Sequence, residues 1–95
     1  MRSRYAAFWR GDEAYLLRSW HPRTRPAALS LDAETQWRRL EILAVVDGGP
    51  WENTGRVHFR AVYRDADGIG ELCEESTFER VDGSWFYVDG VHTND

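Results

Sequence analysis

The fold is decided by residues 72–88, which read LCEESTFERVDGSWFYV. Along residues 72–79 the side chains alternate between two faces in the period-two pattern of a strand with one buried side. Asp82-Gly83 is the strongest hairpin signal in the chain, because a two-residue turn requires positive φ angles that Asp and Gly tolerate. We therefore predict an antiparallel hairpin whose second strand covers Ser84 to Val88.

A two-residue turn also fixes which residues of the hairpin face each other. The predicted pairs are Val81 with Ser84, Arg80 with Trp85, Phe78 with Tyr87, and Ser76 with Asp89. One face of the hairpin then carries Leu72, Glu74, Ser76, Phe78, Trp85 and Tyr87. The other, more acidic face carries Cys73, Glu75, Thr77, Glu79, Phe86 and Val88. We predict that the first, more aromatic face packs against the rest of the protein.

The residues before this hairpin predict two more strands and two helices. Residues 39–46 and 56–63 alternate like strands, and residues 2–10 have helical spacing that Gly11 ends in a left-handed cap. Asp12 is a suitable N-cap for a second helix, whose apolar stripe ends at Trp20. The connection that follows is rich in proline and small residues and has room for one helical turn, opened by Ser30 or Asp32. Together these elements predict an α+β fold with the N-terminal helices packed on a curved antiparallel sheet.

Length and composition limit what the chain can do. Its 95 residues are enough for one domain, spanning 1–95, with room for one modest pocket. A single cysteine and three scattered histidines cannot form an internal disulfide or a structural zinc site, so we expect a cytoplasmic protein without a metal or other cofactor. No apolar run approaches the ~20 residues that span a membrane. The net charge of −4, with arginines interspersed among acidic residues, argues against nucleic-acid binding.

Two polar residues interrupt the predicted inner face of the sheet, Glu74 and Ser76. A buried carboxylate needs a partner or a raised pKa, and the available partners are Arg4, Arg25 and His21 from the covering segments. One interpretation is a structural polar network that ties the helices to the sheet. The other is a catalytic pocket in which Glu74 acts as general acid or base, with His21 or Tyr15 as its proton partner.

The residues expected to surround Glu74 follow from the same face assignment. The predicted pocket or network consists of Arg4, Tyr5, Trp20, Arg25, Ser76, Trp85 and Tyr87. Ser76 lies in a strand rather than in a nucleophile elbow, so we interpret it as a structural hydroxyl. The acidic neighbours of Cys73 disfavour a reactive thiolate.

Several short motifs together resemble the YchJ family of bacterial proteins. They are Met1-Arg2-Ser3-Arg4-Tyr5, Tyr15-Leu16-Leu17, Trp20-His21-Pro22, Trp37 to Leu43, Glu74-x-Ser76-x-Phe78 and Gly83-x-Trp85-x-Tyr87-x-Asp89-Gly90. The resemblance implies a nuclear-transport-factor-2-like domain, also described as a cystatin-like cone, and no particular reaction. Typical members also carry a cysteine-rich SEC-C segment, similar to the zinc-binding tail of the SecA motor protein. This chain lacks those cysteines, so neither zinc nor a SEC-C partner is carried over to it.

Three functional hypotheses remain open at this point. The first is a non-catalytic binding or accessory module, since no catalytic constellation is present. The second is a small-molecule isomerase, dehydratase or hydrolase that uses Glu74 with His21 or Tyr15. The third is a homodimerisation module that pairs through the outer sheet face around Phe86, Val88 and the first strand.

Overall fold

The computed structural model describes residues 2–31 and 34–93 and contains two short helices and one sheet. The elements are α1 (Arg2–Arg10), α2 (Glu13–Arg18), β1 (Gln36–Asp47), β2 (Thr54–Asp65), β3 (Gly68–Val81) and β4 (Ser84–His92). The four strands are antiparallel and lie side by side in the order β1-β2-β3-β4. Met1 and Asp32, which the sequence analysis named, lie outside the described residues. Ser30 lies in an irregular segment rather than in a helical turn.

The two helices begin and end largely where the local signals predict. Gly11 ends α1 with a φ of 71°, and the Asp12 carboxylate accepts a hydrogen bond from the Tyr15 backbone N–H at 3.0 Å. The second helix stops at Arg18, two residues before the predicted end at Trp20. The chain instead runs beside β4, where the Tyr87 N–H donates to the Ser19 carbonyl and the His21 N–H donates to the Tyr87 carbonyl. The backbone of an edge strand thus ends α2 early.

The β3–β4 hairpin has the predicted turn. Asp82 and Gly83 have φ angles of 51° and 82°, as a two-residue hairpin turn with two left-handed residues requires. The pairs nearest the turn are confirmed, namely Val81 with Ser84, Arg80 with Trp85, and Phe78 with Tyr87. The turn residues therefore determine the register of the first half of the hairpin.

Beyond Phe78 the register shifts by one residue, and the predicted pairing of Ser76 with Asp89 is wrong. Thr77 faces Asp89 and Ser76 faces Gly90, because Val88 is an extra residue in β4. The strand continues past its predicted end at Val88 to His92. Val88 is only 5% exposed, and its carbonyl accepts a hydrogen bond from the Thr24 hydroxyl at 2.6 Å. Its predicted place on an outer association surface is therefore also wrong.

The helices contact the sheet through two groups of aromatic rings. On one side Trp37 of β1 lies between the helix residues Tyr5 and Phe8 and the strand residue Tyr63, with ring centroids 5.5 to 6.2 Å apart. Tyr63 in turn lies across Gly70, where a Cβ would come within 2.6 Å of its ring. These rings anchor α1 to the β1–β2 half of the sheet.

On the other side Tyr87 of β4 packs edge-on against Trp20 at 4.9 Å and against Phe78 at 5.8 Å. The buried apolar core between these two groups consists of Ala7, Leu16, Phe59, Ala61, Phe78 and Val88. Ala7 and Leu16 come from the two helices, and the others come from three strands. The core is small, so its aromatic surroundings supply much of the contact area between helices and sheet.

Charged residues of the strands are paired with each other. Arg56 lies 3.3 Å from Glu75, and Arg60 lies 3.5 Å from Glu41. These cross-strand pairs are substantially exposed and contribute little to stability. In the part of the chain that is described, no helix combines the length and the apolar character needed to cross a membrane.

Candidate functional site

A cavity of about 180 Å³ lies between the helices and the sheet. Its walls are mostly apolar and aromatic. The lining residues are Arg4, Tyr5, Phe8, Trp20, Leu29, Trp37, Phe59, Ala61, Leu72, Glu74, Ser76 and Tyr87. A concave, apolar space with a few convergent polar groups is the usual form of a small-molecule site.

Glu74 supplies the negative charge in the cavity. Its Oε1 accepts a hydrogen bond from the Ser76 hydroxyl at 3.2 Å, and the Tyr87 hydroxyl lies 3.5 Å away, at the long limit for a hydrogen bond. The side chain leans over Gly90, where an added Cβ would overlap the carboxylate and come within 2.6 Å of its Cδ. The bulge at Val88 places Gly90, rather than Asp89, opposite Ser76. Since Gly90 has no side chain, the Glu74 carboxylate has room to lie over it.

Arg4 supplies the positive charge and is only 4% exposed. Its Nη1 donates to the Leu16 carbonyl at 3.2 Å and to the Ser19 hydroxyl at 2.9 Å, at the C-terminal end of α2 where a cation is favoured. The guanidinium lies over the rings of Tyr87 at 4.2 Å and Trp20 at 5.3 Å. Burial lowers the pKa of Arg4, and the nearby Glu74 charge opposes that shift. The guanidinium therefore links both helices to the sheet.

Tyr87 joins these two charged groups. Burial, and secondarily the charge of Glu74, raises the pKa of the Tyr87 phenol to about 12. The phenol is therefore protonated at neutral pH, and it acts as a hydrogen-bond donor rather than as a base. Burial also raises the pKa of Tyr5 on the opposite wall of the cavity.

Most of the predicted pocket residues lie around this cavity. They are Arg4, Tyr5, Trp20, Ser76 and Tyr87, which line it together with Glu74. Arg25 does not reach it, because its exposed guanidinium donates to the Trp20 carbonyl at 2.7 and 3.0 Å. Trp85 is 37% exposed and lies beyond the helices in a second cavity of about 210 Å³, with Arg80 5.5 Å above its ring. Arg25 and Trp85 are therefore not among the lining residues.

The two proposed proton partners of Glu74 lie elsewhere. His21 Nε2 is 3.6 Å from the Glu79 carboxylate, and its Nδ1 accepts from the Arg23 backbone N–H. Tyr15 lies on α2 under the Arg18 guanidinium and does not line the cavity. The structure thus brings neither His21 nor Tyr15 to the carboxylate.

The cavity is also lined by three residues that were not predicted to belong to it, Leu29, Phe8 and Trp37. Phe8 fits the helical spacing of residues 2–10, and Trp37 stands where the first strand begins. Neither pattern indicates which end of the sheet the aromatic ring covers. Leu29 lies in the connection after Pro26, which has no period from which a facing direction could be read. Within residues 2–31 and 34–93, no group of three or more His, Cys, Asp or Glu residues is arranged to hold a metal ion.

The match of the chain to a family model defines it as a domain of the nuclear-transport-factor-2-like class. The family model described as "YchJ, middle NTF2-like domain" matches residues 1–90. The chain belongs to the YchJ family.

Similar proteins have the same domain within longer chains. UPF0225 protein SCO1677 from Streptomyces coelicolor is 59% identical over 90 residues, which are 95% of this chain and 69% of that protein. A UPF0225 protein from Streptomyces avermitilis is 56% identical over 90 residues, 95% of this chain and 61% of that protein. This chain therefore spans only about three fifths to two thirds of the length of these relatives.

Two solved structures share the fold. The solution structure of RPA3114, a SEC-C motif containing protein from Rhodopseudomonas palustris, has a TM-score of 0.82 and 26% identity over 99% of this chain and 76% of that one. The crystal structure of a SEC-C motif containing protein from Psychrobacter arcticus has a TM-score of 0.75 and 27% identity over 100% of this chain and 59% of that one. The matches to the family model and to both solved structures cover nearly the whole chain.

Proposed function

We propose that this chain is a non-catalytic module that binds a small molecule in the cavity between its helices and its sheet. In this proposal residues 1–95 form a single cytoplasmic domain, with the helices packed on a curved sheet as a cone. The observation that carries it is the position of Glu74, half-buried and facing a mostly apolar cavity of about 180 Å³. A carboxylate placed there can hold a ligand without a second titratable partner.

The size of the cavity supports a small ligand. An apolar cavity of about 150 Å³ in another protein is known to bind benzene, so this one has room for a single ring with a small substituent. The six aromatic side chains in the wall offer faces and edges for such a ring. The polar groups Glu74, Ser76 and Tyr87 lie together and would orient it.

A catalytic role has less support. His21 is engaged with Glu79, Tyr15 does not line the cavity, and Tyr87 holds its proton with a pKa of about 12. General acid–base chemistry near neutral pH works best with a group whose pKa lies near the working pH. The arrangement therefore favours binding over turnover.

Association through the outer sheet face also has less support. Val88 is buried, Phe86 is half-buried, and the charges at Arg56 and Arg60 are paired with carboxylates of neighbouring strands. The relatives that match this chain are longer than it is. The two proteins of similar structure are described as SEC-C motif containing proteins. We propose that the domain supplies ligand binding to such proteins, whose other segments contribute separate functions.

The test is whether simple ring compounds enter the cavity. Phenol and indole are titrated into the isotope-labelled protein, and we expect backbone amide shifts at lining residues such as Ala61 and Ser76. The variant Ala61→Leu fills the cavity from its wall, so it should remain folded and lose most of the shift. Val62→Leu, on the opposite face of the same strand, is the matched control and should bind as the wild type does. Equal binding by Ala61→Leu, or no binding of either compound, would refute the proposed function.

A further inference from the structure

Both signs of charge meet within the same small cavity. The Glu74 carboxylate lies against the Tyr87 hydroxyl, and the Arg4 guanidinium lies over the Tyr87 ring. Both side chains also line the cavity, so the two charges share one small space. The cavity is therefore dipolar, with one acceptor side and one donor side, and it carries no net charge.

This arrangement discriminates against ions. An anion that approaches Arg4 is repelled by Glu74, and a cation that approaches Glu74 is repelled by Arg4. Such repulsion is stronger in a partly dry cavity than in water, because the effective dielectric constant is lower. Arg4 is also held by the Leu16 carbonyl, the Ser19 hydroxyl and two aromatic faces, so its guanidinium cannot move away from Glu74 to meet an anion.

A neutral ligand with its own dipole escapes both penalties. Glu74 can accept a hydrogen bond from an N–H group, and its described bonds all use Oε1. The described hydrogen bonds of Arg4 both use Nη1, so another N–H of its guanidinium can donate to a carbonyl oxygen beside that N–H, and the Ser76 hydroxyl can do so if it turns its proton away from Glu74. The aromatic walls and the volume limit the rest of the ligand to about one ring.

We propose that the cavity selects a neutral single-ring compound that carries an N–H donor next to a C=O acceptor, as in a primary aromatic amide or a cyclic amide. The N–H group binds Glu74, and the carbonyl faces Ser76 and Arg4. This inference rests on the proposed function, since it specifies the ligand class of the same cavity.

Three compounds of nearly the same shape test whether the cavity selects a ligand by its charge or only by its size. Benzamide, benzoate and benzamidine share the ring and the planar substituent, and are neutral, negative and positive at pH 7. Calorimetric or NMR titration of the wild-type protein should rank benzamide at least about tenfold above both ions, which corresponds to about 1.4 kcal/mol.

The variant Glu74→Gln removes the negative charge and keeps the shape of the side chain. Arg4 then lacks its opposing charge, so benzoate should gain affinity relative to benzamide and benzamidine should lose it. Glu75→Gln makes the same change in net charge on the opposite face, where Glu75 pairs with Arg56, and should leave the wild-type ranking unchanged.

The outcomes distinguish the two proposals. If phenol and indole bind but benzoate or benzamidine matches benzamide in the wild-type protein, the inference on ligand class is wrong and the proposed function stands. If neither phenol nor indole binds, the proposed function fails and this inference, which rests on it, fails with it. Should Glu74→Gln not fold, the ranking on the wild-type protein decides alone.

Discussion

Replacing Gly90 by alanine tests whether the Glu74 carboxylate occupies the space above this residue. The new Cβ would come within 2.6 Å of Glu74 Cδ, so the carboxylate must leave its position. Overpacking of this kind costs about 1–3 kcal/mol. The loss of glycine's freedom in the unfolded chain offsets about 0.4–1 kcal/mol of that cost. We expect Gly90→Ala to lower the free energy of unfolding by about 1–2 kcal/mol and the Tm by at least about 4 °C.

The measurement is equilibrium unfolding in urea followed by tryptophan fluorescence, made in the wild-type and the Glu74→Ala backgrounds. With Glu74 shortened, the new methyl group has room and Gly90→Ala should be neutral or slightly stabilising. The double-mutant cycle should thus give a coupling of about 1–3 kcal/mol, which is the overpacking cost itself. Gly49→Ala is the control, because its Cβ would come no closer than 3.1 Å to Glu52 Oε1, a contact that a small shift of that side chain relieves. An equal loss from Gly90→Ala in both backgrounds would refute our account of the site.

Three further variants test the surroundings of the cavity. Arg4→Met removes the hydrogen bonds from Nη1 to the Leu16 carbonyl and the Ser19 hydroxyl, together with the charge over two aromatic rings, and should lower the free energy of unfolding by about 1–3 kcal/mol; an unchanged urea midpoint would contradict the role given to Arg4. Folding favours the neutral phenol of Tyr87, whose pKa is about 12, so its contribution is complete below pH ~10 and is lost as the pH rises through 12. Wild-type protein should therefore lose more stability than Tyr87→Phe over that range in urea titrations. Gly83→Ala, at a φ of 82°, should cost about 1–2 kcal/mol in the same assay, and no loss would contradict the turn.

The parts of the fold that depend on local chemistry could be predicted from the sequence. Gly11 and Asp12 mark the end of one helix and the beginning of the next, and Asp82-Gly83 determines a turn and its nearest pairs. Such signals act within a few residues, so the sequence carries them fully.

The bulge in β4 could not be predicted in this way. No residue near Val88 marks an extra position, and the shift accompanies contacts from distant residues, including the Thr24 hydroxyl on the Val88 carbonyl. Because the bulge adds one residue to β4, the sequence-based pairing placed Asp89, rather than Gly90, opposite Ser76.

The candidate site was predictable where it depends on strand alternation. Glu74 and Ser76 were identified because polar residues interrupt an aromatic face. Alternation assigns a residue to a face, but it does not show how far the helices extend over that face, which is why Trp85 was included. The sequence does not show how α1 and the segment after α2 run across the sheet. It therefore does not indicate which guanidinium, that of Arg4 or that of Arg25, lines the cavity with Glu74.

Tyr87 contacts both the cavity and the backbone segment that follows α2. Its side chain faces the cavity, while its backbone N–H and carbonyl hold Ser19 and His21. A bound compound that steadies the Tyr87 ring would thus also reduce the opening of this backbone segment. Hydrogen exchange at the amides of Tyr87 and His21 would slow in proportion to occupancy, so ligand binding could be detected at a distance from the ligand itself.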